Sequence, residues 1–317
     1  MRLRLVPGWS AAAILAIEFA VFALVLAQPG RPQTFATLDN IALILKYSGI
    51  YGISAIGAAM IIGAGGIDLA PGAVIALASV ITGHLFTIEG WPLRTAVVAG
   101  LATGIASGAL AAALVVLARL PPFIATLGVM GMARGAAFLI TEGRFYDLSR
   151  WLTAGVAPLG IALSAWPGLL MVVLAALFQT VMSATALGRH VLATGGNETA
   201  ARFAGVQVGR VKAFVYITGG ALAALSGVVL AVVQGQGKAD LATGYELDII
   251  AAAVVGGASL SGGRTSVVGA VIGALIFGVL RNALAQIPGG TFADRLILGI
   301  AVVVIVVMDR LATREER

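Results

Sequence analysis

The sequence of 317 residues contains no cysteine, only two histidines and few charged side chains. Without cysteine, a disulfide framework and a cysteine-ligated metal site are both excluded. Charged residues make up 11% of the chain, whereas roughly a quarter is usual for a soluble domain. The polar side chains are therefore too few to cover a water-soluble globule of this size.

Patterns that are typical of hydrolytic enzymes are also missing from the sequence. His84 and His190 do not form an HExxH pair, and no G-x-S-x-G nucleophile turn occurs. The dipeptide Gly237-Lys238 lacks the upstream glycine of a Walker A loop and is followed by alanine. We therefore expect no catalytic residues, no metal site and no cofactor bound by this chain. If ATP drives its activity, another subunit must carry the ATPase site.

Long apolar runs dominate the chain. Hydrophobic residues make up 60% of it, and the mean hydropathy is +1.03. Many runs approach the roughly 20 residues that cross a bilayer core, and in lipid such runs must be helical. We predict an all-α polytopic transmembrane bundle of about ten helices, organised as a single domain over residues 1–317. The predicted spans are 9–27, 41–63, 72–88, 94–117, 123–141, 164–184, 211–233, 245–258, 266–287 and 292–309; the fifth contains Arg134, and the eighth is short.

Lysine and arginine residues predict the orientation of these spans. With the N-terminus inside, eleven of them fall in inside segments and six in outside segments, which favours cytoplasmic placement of both termini. Because these basic residues lie at span ends, we expect contact with the membrane and no nucleic-acid partner. The N-terminal run is similar to a signal peptide, but Glu18 interrupts it and more spans follow, so we expect it to remain attached.

Glycines recur at a spacing of four in two predicted spans. Gly100, Gly104 and Gly108 share one helix face, and Gly269 and Gly273 share another. Small residues at this spacing let helix backbones approach closely. They predict tight helix packing within the subunit, with a contact between two copies as the alternative.

Two segments have a similar pattern. Residues 58–74 read AAMIIGAGGIDLAPGAV, and residues 252–267 read AAVVGGASLSGGRTSV. Each is an apolar helix, a double glycine, a short polar turn and a second apolar run. Interrupted helices in two halves of a chain indicate a central transport pathway, although chance similarity in a chain rich in alanine, glycine and valine is the alternative to a repeat.

The most polar segment, 186–212, joins the sixth and seventh spans on the predicted cytoplasmic side. Asn197 is a good N-cap, Glu198 and Arg202 are spaced to pair, and Gly205 is a natural helix end. The sequence predicts a short helix here that is too small to be stable alone. It is either an ordinary capped loop helix or a docking helix for a cytoplasmic motor. Its candidate coupling residues are Gly196, Asn197, Glu198, Ala201, Arg202, Phe203 and Gly205.

Several motifs occur in an order that is characteristic of a known family. They are GGIDLAPGAV (65–74), LPPFIATLGVMGMARG (120–135), GRHVLATGGNETAARFAGV (188–206), YELDIIAAAVVGGASLSGGR (245–264) and ILGIAVVVIVVMDR (297–310). With these motifs, the chain resembles the membrane permease subunit of bacterial ATP-binding-cassette importers of the ribose and monosaccharide type. It departs from that pattern at Ala70-Pro71 and at Arg281-Asn282, which leaves the substrate open.

The resemblance implies a set of partners in the bacterial inner membrane. Two permease copies, identical or paralogous, would form the pathway, and cytoplasmic ATPase subunits holding ATP and Mg would dock beneath them. A periplasmic or extracellular solute-binding protein would deliver a small sugar. The coupling helix of the family corresponds to residues 196–205 here.

Polar or large side chains at membrane depth are the candidates for the pathway or its gate, because ionisable groups there usually face the protein interior or water. Asp68 either caps the following helix or shapes an inner gate. Glu246 and Asp248 either complement a helix N-terminus or contact the sugar path or binding protein. Phe123 would suit a pathway lining, with helix packing as the alternative. The candidates are Asp68, Phe123, Glu246, Asp248 and Asn282.

Two arginines lie within predicted spans and need acidic partners there. They are Arg134 and Arg281, and Glu142, Glu246 and Asp248 are the candidate partners.

The sequence also leaves alternative functions open. An importer permease for an amino acid, a nucleoside or another small solute is the nearest alternative function. An ion-coupled secondary transporter needs more buried acids than this chain has, and an intramembrane enzyme needs paired catalytic groups.

Overall fold

The computed structural model describes residues 9–27, 34–149, 165–290, 292, 296–297 and 299–300. Both chain ends and most of the tenth predicted span, 292–309, lie outside the described residues.

Eleven helices and two short strands make up the described part of the chain. Nine of the predicted spans are helices whose ends lie within a few residues of the predicted ends. The elements are α1 (Trp9–Val25), α2 (Leu38–Gly63), α3 (Pro71–Thr87), α4 (Leu93–Val116), α5 (Pro122–Thr141), β1 (Phe145–Asp147), α6 (Trp166–Ala184), α7 (Ala186–Gly196), α8 (Glu198–Phe203), α9 (Val208–Gln234), β2 (Gln236–Lys238), α10 (Tyr245–Val255) and α11 (Val267–Ala285).

Six of the described helices are long and apolar enough to cross a membrane: α2, α4, α5, α6, α9 and α11. The chain is therefore a multi-pass helical membrane protein. Helix α3 and the apolar part of α1 are shorter, at 17 residues or fewer. The predicted total of about ten spans is not confirmed.

The eighth predicted span, 245–258, is not a complete crossing. Helix α10 has 11 residues, which is about 16 Å of a bilayer core about 30 Å thick. It stops at Gly256 and Gly257 because Gly257 has a φ of +99°, a left-handed conformation in which the helix cannot continue. The hydropathy of the run alone did not reveal this stop.

Helices α2 and α9 form the centre of the bundle, and close glycine contacts pack other helices around them. On α4, Gly104 faces Gly220 of α9, and Gly108 faces the backbone of Tyr216, which also lies on α9. Gly100 of α4 faces Thr82 of α3. The second glycine pair packs on α10, with Gly269 against Gly256 and Gly273 against Ala252. Both faces are thus occupied by helices of the same chain.

We expect Gly104→Ala to destabilise the fold, because its Cβ would collide with the Gly220 carbonyl and the Ala224 side chain. Overpacking of this kind costs about 1–3 kcal/mol. The matched control is Gly196→Ala at the end of α7, where a Cβ would have one neighbour, the Gly263 Cα at 3.8 Å. Thermal unfolding in detergent should show a lower Tm for Gly104→Ala and an unchanged or raised Tm for Gly196→Ala. Equal Tm values would contradict the close packing of α4 on α9.

Strands β1 and β2 form an antiparallel pair that the sequence did not predict. Phe145 pairs with Lys238, and Asp147 pairs with Gln236. Three-residue strands are too short to show an alternating pattern. The pair lies at the C-terminal end of α3, where His84 Nδ1 and the Tyr146 hydroxyl are 2.9 Å apart. Because α8 precedes the N-terminal end of α9 and β2 follows its C-terminal end, the strand pair lies at the end of the bundle opposite to α8.

Candidate functional site

The segment 186–212, the coupling segment, contains two helices rather than one. Helix α7 (Ala186–Gly196) was not predicted; the Thr185 side chain caps it by accepting a hydrogen bond from the Gly188 backbone N–H at 3.3 Å. Helix α8 (Glu198–Phe203) follows after a single residue, Asn197. The two helices form an elbow at one end of the bundle, so the coupling segment is more helical than the predicted loop with one short helix.

Helix α8 has the local features that the sequence predicted. Asn197 Oδ1 accepts a hydrogen bond from the Ala200 backbone N–H at 2.9 Å, and Arg202 pairs with Glu198 at 2.9 Å. Gly205 has a φ of +84°, which ends the helix as expected. Ala201 is buried at 5% exposure. The short capped helix is confirmed, and its role in docking stays a prediction.

A second ion pair fixes α8 to the start of α9. Lys212 Nζ lies 2.7 Å from Glu198 Oε2. This hydrogen bond, aided by the Arg202 guanidinium, holds the pKa of Glu198 below its ordinary value. Glu198 therefore stays ionised at neutral pH, and protonation at acidic pH would weaken the α8–α9 link. Sequence reasoning missed Lys212 because the two residues are 14 positions apart and on different helices.

Phe203 is a large apolar side chain that the coupling segment exposes. It ends α8 and is 89% exposed in the single chain. A large apolar side chain on a short polar helix outside the spans is typical of a residue that is buried by a partner. Together with the exposed Arg202, it gives α8 an apolar and a charged contact point.

Close glycine contacts connect the end of α7 to two loops of the bundle. We call Gly63, Gly195, Gly262 and Gly263 the glycine junction. The Gly263 backbone N–H donates to the Gly63 carbonyl at 3.1 Å, and a Cβ on Gly195 would lie 2.6 Å from the Gly263 nitrogen. Gly262 and Gly263 have φ values of +78° and +76°. The elbow thus contacts both interrupted segments that the sequence singled out.

The first interrupted segment, 64–70, runs from the glycine junction into the bundle. The Thr126 hydroxyl of α5 lies 3.3 Å from the Ile67 carbonyl, which it contacts as a donor. Asp68 is 7% exposed, and its Oδ1 accepts a hydrogen bond from the Ala70 backbone N–H at 2.8 Å. It borders a cavity of about 10 Å³, room for one water at most. This geometry favours the capping alternative for Asp68, and a gating role stays a prediction.

Helices α3 and α10 begin beside each other. Gly72, in the first turn of α3, packs against the Glu246 carboxylate and the Ala242 carbonyl. Helix α3 runs from there to the β1–β2 pair, whereas α10 runs to Gly256 on α11 and on towards the glycine junction. Glu246 thus lies where two helix N-termini converge, and both dipoles favour its negative charge. Two short helices that start at one depth and diverge are a feature of transport pathways.

Arg134 of α5 anchors the chain that leads into α10. Its Nη1 donates to the Ala239 and Leu241 carbonyls at 2.6 and 2.8 Å. Its partners are therefore backbone carbonyls of the segment that follows β2. Of the three acidic candidates, Glu142 lies 3.9 Å from Arg144 instead.

Asp248 and Arg281 form an ion pair between α10 and α11. Asp248 Oδ2 lies 2.8 Å from Arg281 Nη2, and the side chains are 6% and 26% exposed. The rings of Tyr51 and Tyr245 each lie 5.9 Å from the guanidinium carbon, within the range of cation–π attraction. Asp248 was one of the predicted partners of Arg281. Its burial in this pair places it in the bundle rather than on a surface that meets a binding protein.

We expect Asp248→Ala to destabilise the bundle, because it leaves the Arg281 charge without this carboxylate. Removing one member of a buried pair typically costs about 3–5 kcal/mol. The double variant Asp248→Leu/Arg281→Met should recover most of that loss, because no charge then remains to be compensated. The measurement is the unfolding midpoint of the three proteins in detergent. A double variant as unstable as Asp248→Ala would contradict this account of the pair.

Asn282 belongs to an amide network near the end of α11. It exchanges two hydrogen bonds with Asn40 of α2, at 2.8 and 2.9 Å, and accepts a third from Gln286 at 2.9 Å. Phe123 is 51% exposed at the start of α5. The five candidate pathway residues are therefore spread along the bundle and do not line one cavity. Their roles in translocation stay predictions.

Comparison with known proteins identifies the family. A family described as the permease component of the branched-chain amino acid transport system matches residues 40–307.

The chain belongs to this permease family.

Curated relatives of this permease align over most of its length. It is 36% identical to the ribose import permease protein RbsC of Escherichia coli K12 over 283 residues, covering 87% of both chains. It is 33% identical to RbsC of Bacillus subtilis 168, covering 92% of this chain and 90% of the relative. It is 31% identical to the D-allose transport system permease protein AlsC of Escherichia coli K12, covering 95% and 91%. No solved structure matches the permease significantly.

Proposed function

We propose that this permease is the membrane subunit of an ATP-binding-cassette importer that carries a monosaccharide into the cell. The observation that carries the proposal is the elbow: a capped surface helix, with an exposed aromatic residue, in backbone contact with two interrupted loops of the bundle. Such an element suits the transfer of force from a separate motor. In this proposal the chain has no ATPase site, and ATP and Mg are bound by the partner ATPase.

The sugar class rests on the relatives. Those reported above are named for ribose and for D-allose, whereas the family description names branched-chain amino acids. Identity of 31–36% over most of the chain is a closer relationship than membership of a broad family, so a pentose or hexose is the proposed cargo. An amino acid is the second candidate, favoured only by the family description.

The proposed mechanism is alternating access driven through the coupling segment. Closure of the ATPase pair pushes α8, which is fixed to α9 by Lys212 and to α7 by the single residue Asn197. The displacement reaches the glycine junction, and from there the two loops that lead to α3 and α10. Because α3 and α10 begin beside each other at Gly72 and Glu246, a shift of either loop changes the gap between them.

The proposed topology places both termini in the cytoplasm and the protein in the bacterial inner membrane. Basic residues of the predicted inside group lie around the elbow, including Arg119, Arg202, Arg210 and Lys212, as the positive-inside rule requires. The β1–β2 pair then faces the solute-binding protein. The segment 292–309 would supply a further crossing. Helix α1, helix α3 and the stretch from β2 through α10 would supply three more, which gives the ten crossings that two cytoplasmic termini allow.

A second permease copy, identical or paralogous, is proposed to complete the pathway. Helix α5 presents three glycines, Gly128, Gly131 and Gly135, to open space in the single chain. Phe123 is exposed on the same helix. Small residues permit close approach of another helix, so α5 is the proposed wall shared by the two copies.

The test is uptake by proteoliposomes that contain the permease with its ATPase and binding protein. We expect uptake of radiolabelled ribose or allose to require ATP and to survive dissipation of ion gradients. Uptake that survives ATP depletion but stops with the ion gradient would replace the proposal by a secondary transporter. Uptake of leucine but of no sugar would contradict the proposed substrate and would still support an ATP-driven importer.

A further inference from the structure

A basic groove lies beside the elbow, at the end of the spans. It has a volume of about 880 Å³ and lies between the turn joining α4 to α5 and the turn joining α8 to α9. Four basic side chains and one carboxylate line it: Arg119, Arg202, Arg210, Lys212 and Glu198. The groove therefore carries a net positive charge. One of its walls, the α4–α5 turn with Arg119, lies outside the coupling segment.

The internal ion pairs leave two of these cations available. Glu198 already accepts hydrogen bonds from Arg202 at 2.9 Å and from Lys212 at 2.7 Å. Within the described ranges of the chain, Arg119 and Arg210 form no ion pair. Both are exposed, and Arg119 adopts a left-handed φ of +54° in the turn that forms one wall. The groove thus has two unpaired guanidinium groups, which bind phosphate oxygens well.

Apolar side chains surround the groove on the side of the spans. Val115, Val116, Pro121 and Pro122 form part of its wall. Leu117 and Leu120 belong to the same turn and are 79% and 38% exposed. A basic floor with an apolar border at the end of membrane helices has the chemistry of a phospholipid: a phosphodiester next to acyl chains. A soluble anion would use the charges and leave the apolar border without a role.

We propose that this groove binds the phosphodiester headgroup of an anionic phospholipid. Arg119 and Arg210 contact the phosphate, and the border around Leu117 and Leu120 receives the acyl chains. The assignment of the groove to the inner leaflet and the role of the bound lipid beside a moving elbow rest on the proposed function, whereas lipid binding itself does not. Lipid bound here would brace the α4–α5 turn against the elbow that the motor moves.

The experiment uses the full-length permease purified in detergent, with retained lipid counted by native mass spectrometry after titration with phosphatidylglycerol or phosphatidylcholine. We expect the wild type to retain phosphatidylglycerol in preference to phosphatidylcholine. The double variant Arg119→Gln/Arg210→Gln should retain at least tenfold less, and Arg119→Lys/Arg210→Lys should keep most of it. The control Arg94→Gln/Arg189→Gln removes the same charge outside the groove and should behave as the wild type.

Three results would overturn the proposal. The first is equal phosphatidylglycerol retention by the groove variant and the control. The second is saturable binding of inorganic phosphate, lost in the groove variant, with no preference for anionic lipid, which would make the groove a soluble-anion site. The third is unchanged lipid binding with lost association of the ATPase, which would assign the groove to a protein partner. No transport is measured, so failure here is separate from failure of the proposed function.

Discussion

Replacing Phe203 by aspartate is expected to abolish coupled transport without harming the fold. Phe203 is 89% exposed in the free permease, so its removal takes almost no packing from the bundle. If the ATPase binds α8, we expect the exposed Phe203 side chain to lie at the centre of the interface. Loss of such a contact typically costs 2 kcal/mol or more, which is roughly thirtyfold in affinity. ATP-dependent uptake in proteoliposomes and co-purification of the ATPase both measure the effect.

The matched variant Phe203→Leu keeps an apolar side chain at the same place and should retain most of the activity. The unfolding midpoint of Phe203→Asp should equal that of the wild type, since the residue has little to lose on unfolding. Normal uptake by Phe203→Asp would contradict docking through the exposed end of α8. A large drop in its midpoint would show instead that Phe203 stabilises the permease itself.

Adding a single methyl group at Gly195 is expected to uncouple ATP hydrolysis from transport. A Cβ there would meet the Gly63 carbonyl and lie 2.6 Å from the Gly263 nitrogen, so the glycine junction must open. Overpacking of about 1–3 kcal/mol at the contact that transmits the motion should reduce uptake at least tenfold. Association with the ATPase should persist, because α8 and Phe203 are unchanged.

The next residue supplies the control for this experiment. A Cβ on Gly196 would have one neighbour, the Gly263 Cα at 3.8 Å, which is an ordinary contact. Gly196→Ala should therefore transport as the wild type does, although it adds the same methyl group to the same helix as Gly195→Ala. Equal uptake by Gly195→Ala and Gly196→Ala would remove the glycine junction from the mechanism.

Features that depend on neighbours in sequence could be predicted without the structure. The long apolar runs set the helices, and local rules placed α8, because Asn197, Glu198, Arg202 and Gly205 act on residues within one or two helical turns. The same rules did not predict α7, because its mixed apolar and polar composition and its terminal double glycine are typical of a loop. The predicted function came from the family motifs, which are spread along the chain from residue 65 to residue 310.

Features that depend on distant residues could not be predicted. Asn40 and Asn282 exchange hydrogen bonds across 242 positions, and nothing in either sequence neighbourhood specifies the other. The depth of α10 follows from its early stop at Gly257 and from Glu246 packing on Gly72, whereas hydropathy alone predicted a span. The ion pair of Arg281 and Asp248 could be predicted in part. The sequence indicated that Arg281 needs an acidic partner, and the fold shows that Asp248 is the partner among the three candidates.

The most direct test of the central claim uses the absence of cysteine from the chain, because one introduced thiol is then the only one. Thr199 lies exposed on α8, so Thr199→Cys can be treated with a membrane-impermeant maleimide in oriented vesicles. The account predicts labelling in inside-out vesicles alone, with protection when the ATPase is bound. Labelling from the outer face, or labelling that the bound ATPase leaves unchanged, would contradict a motor that acts through the elbow.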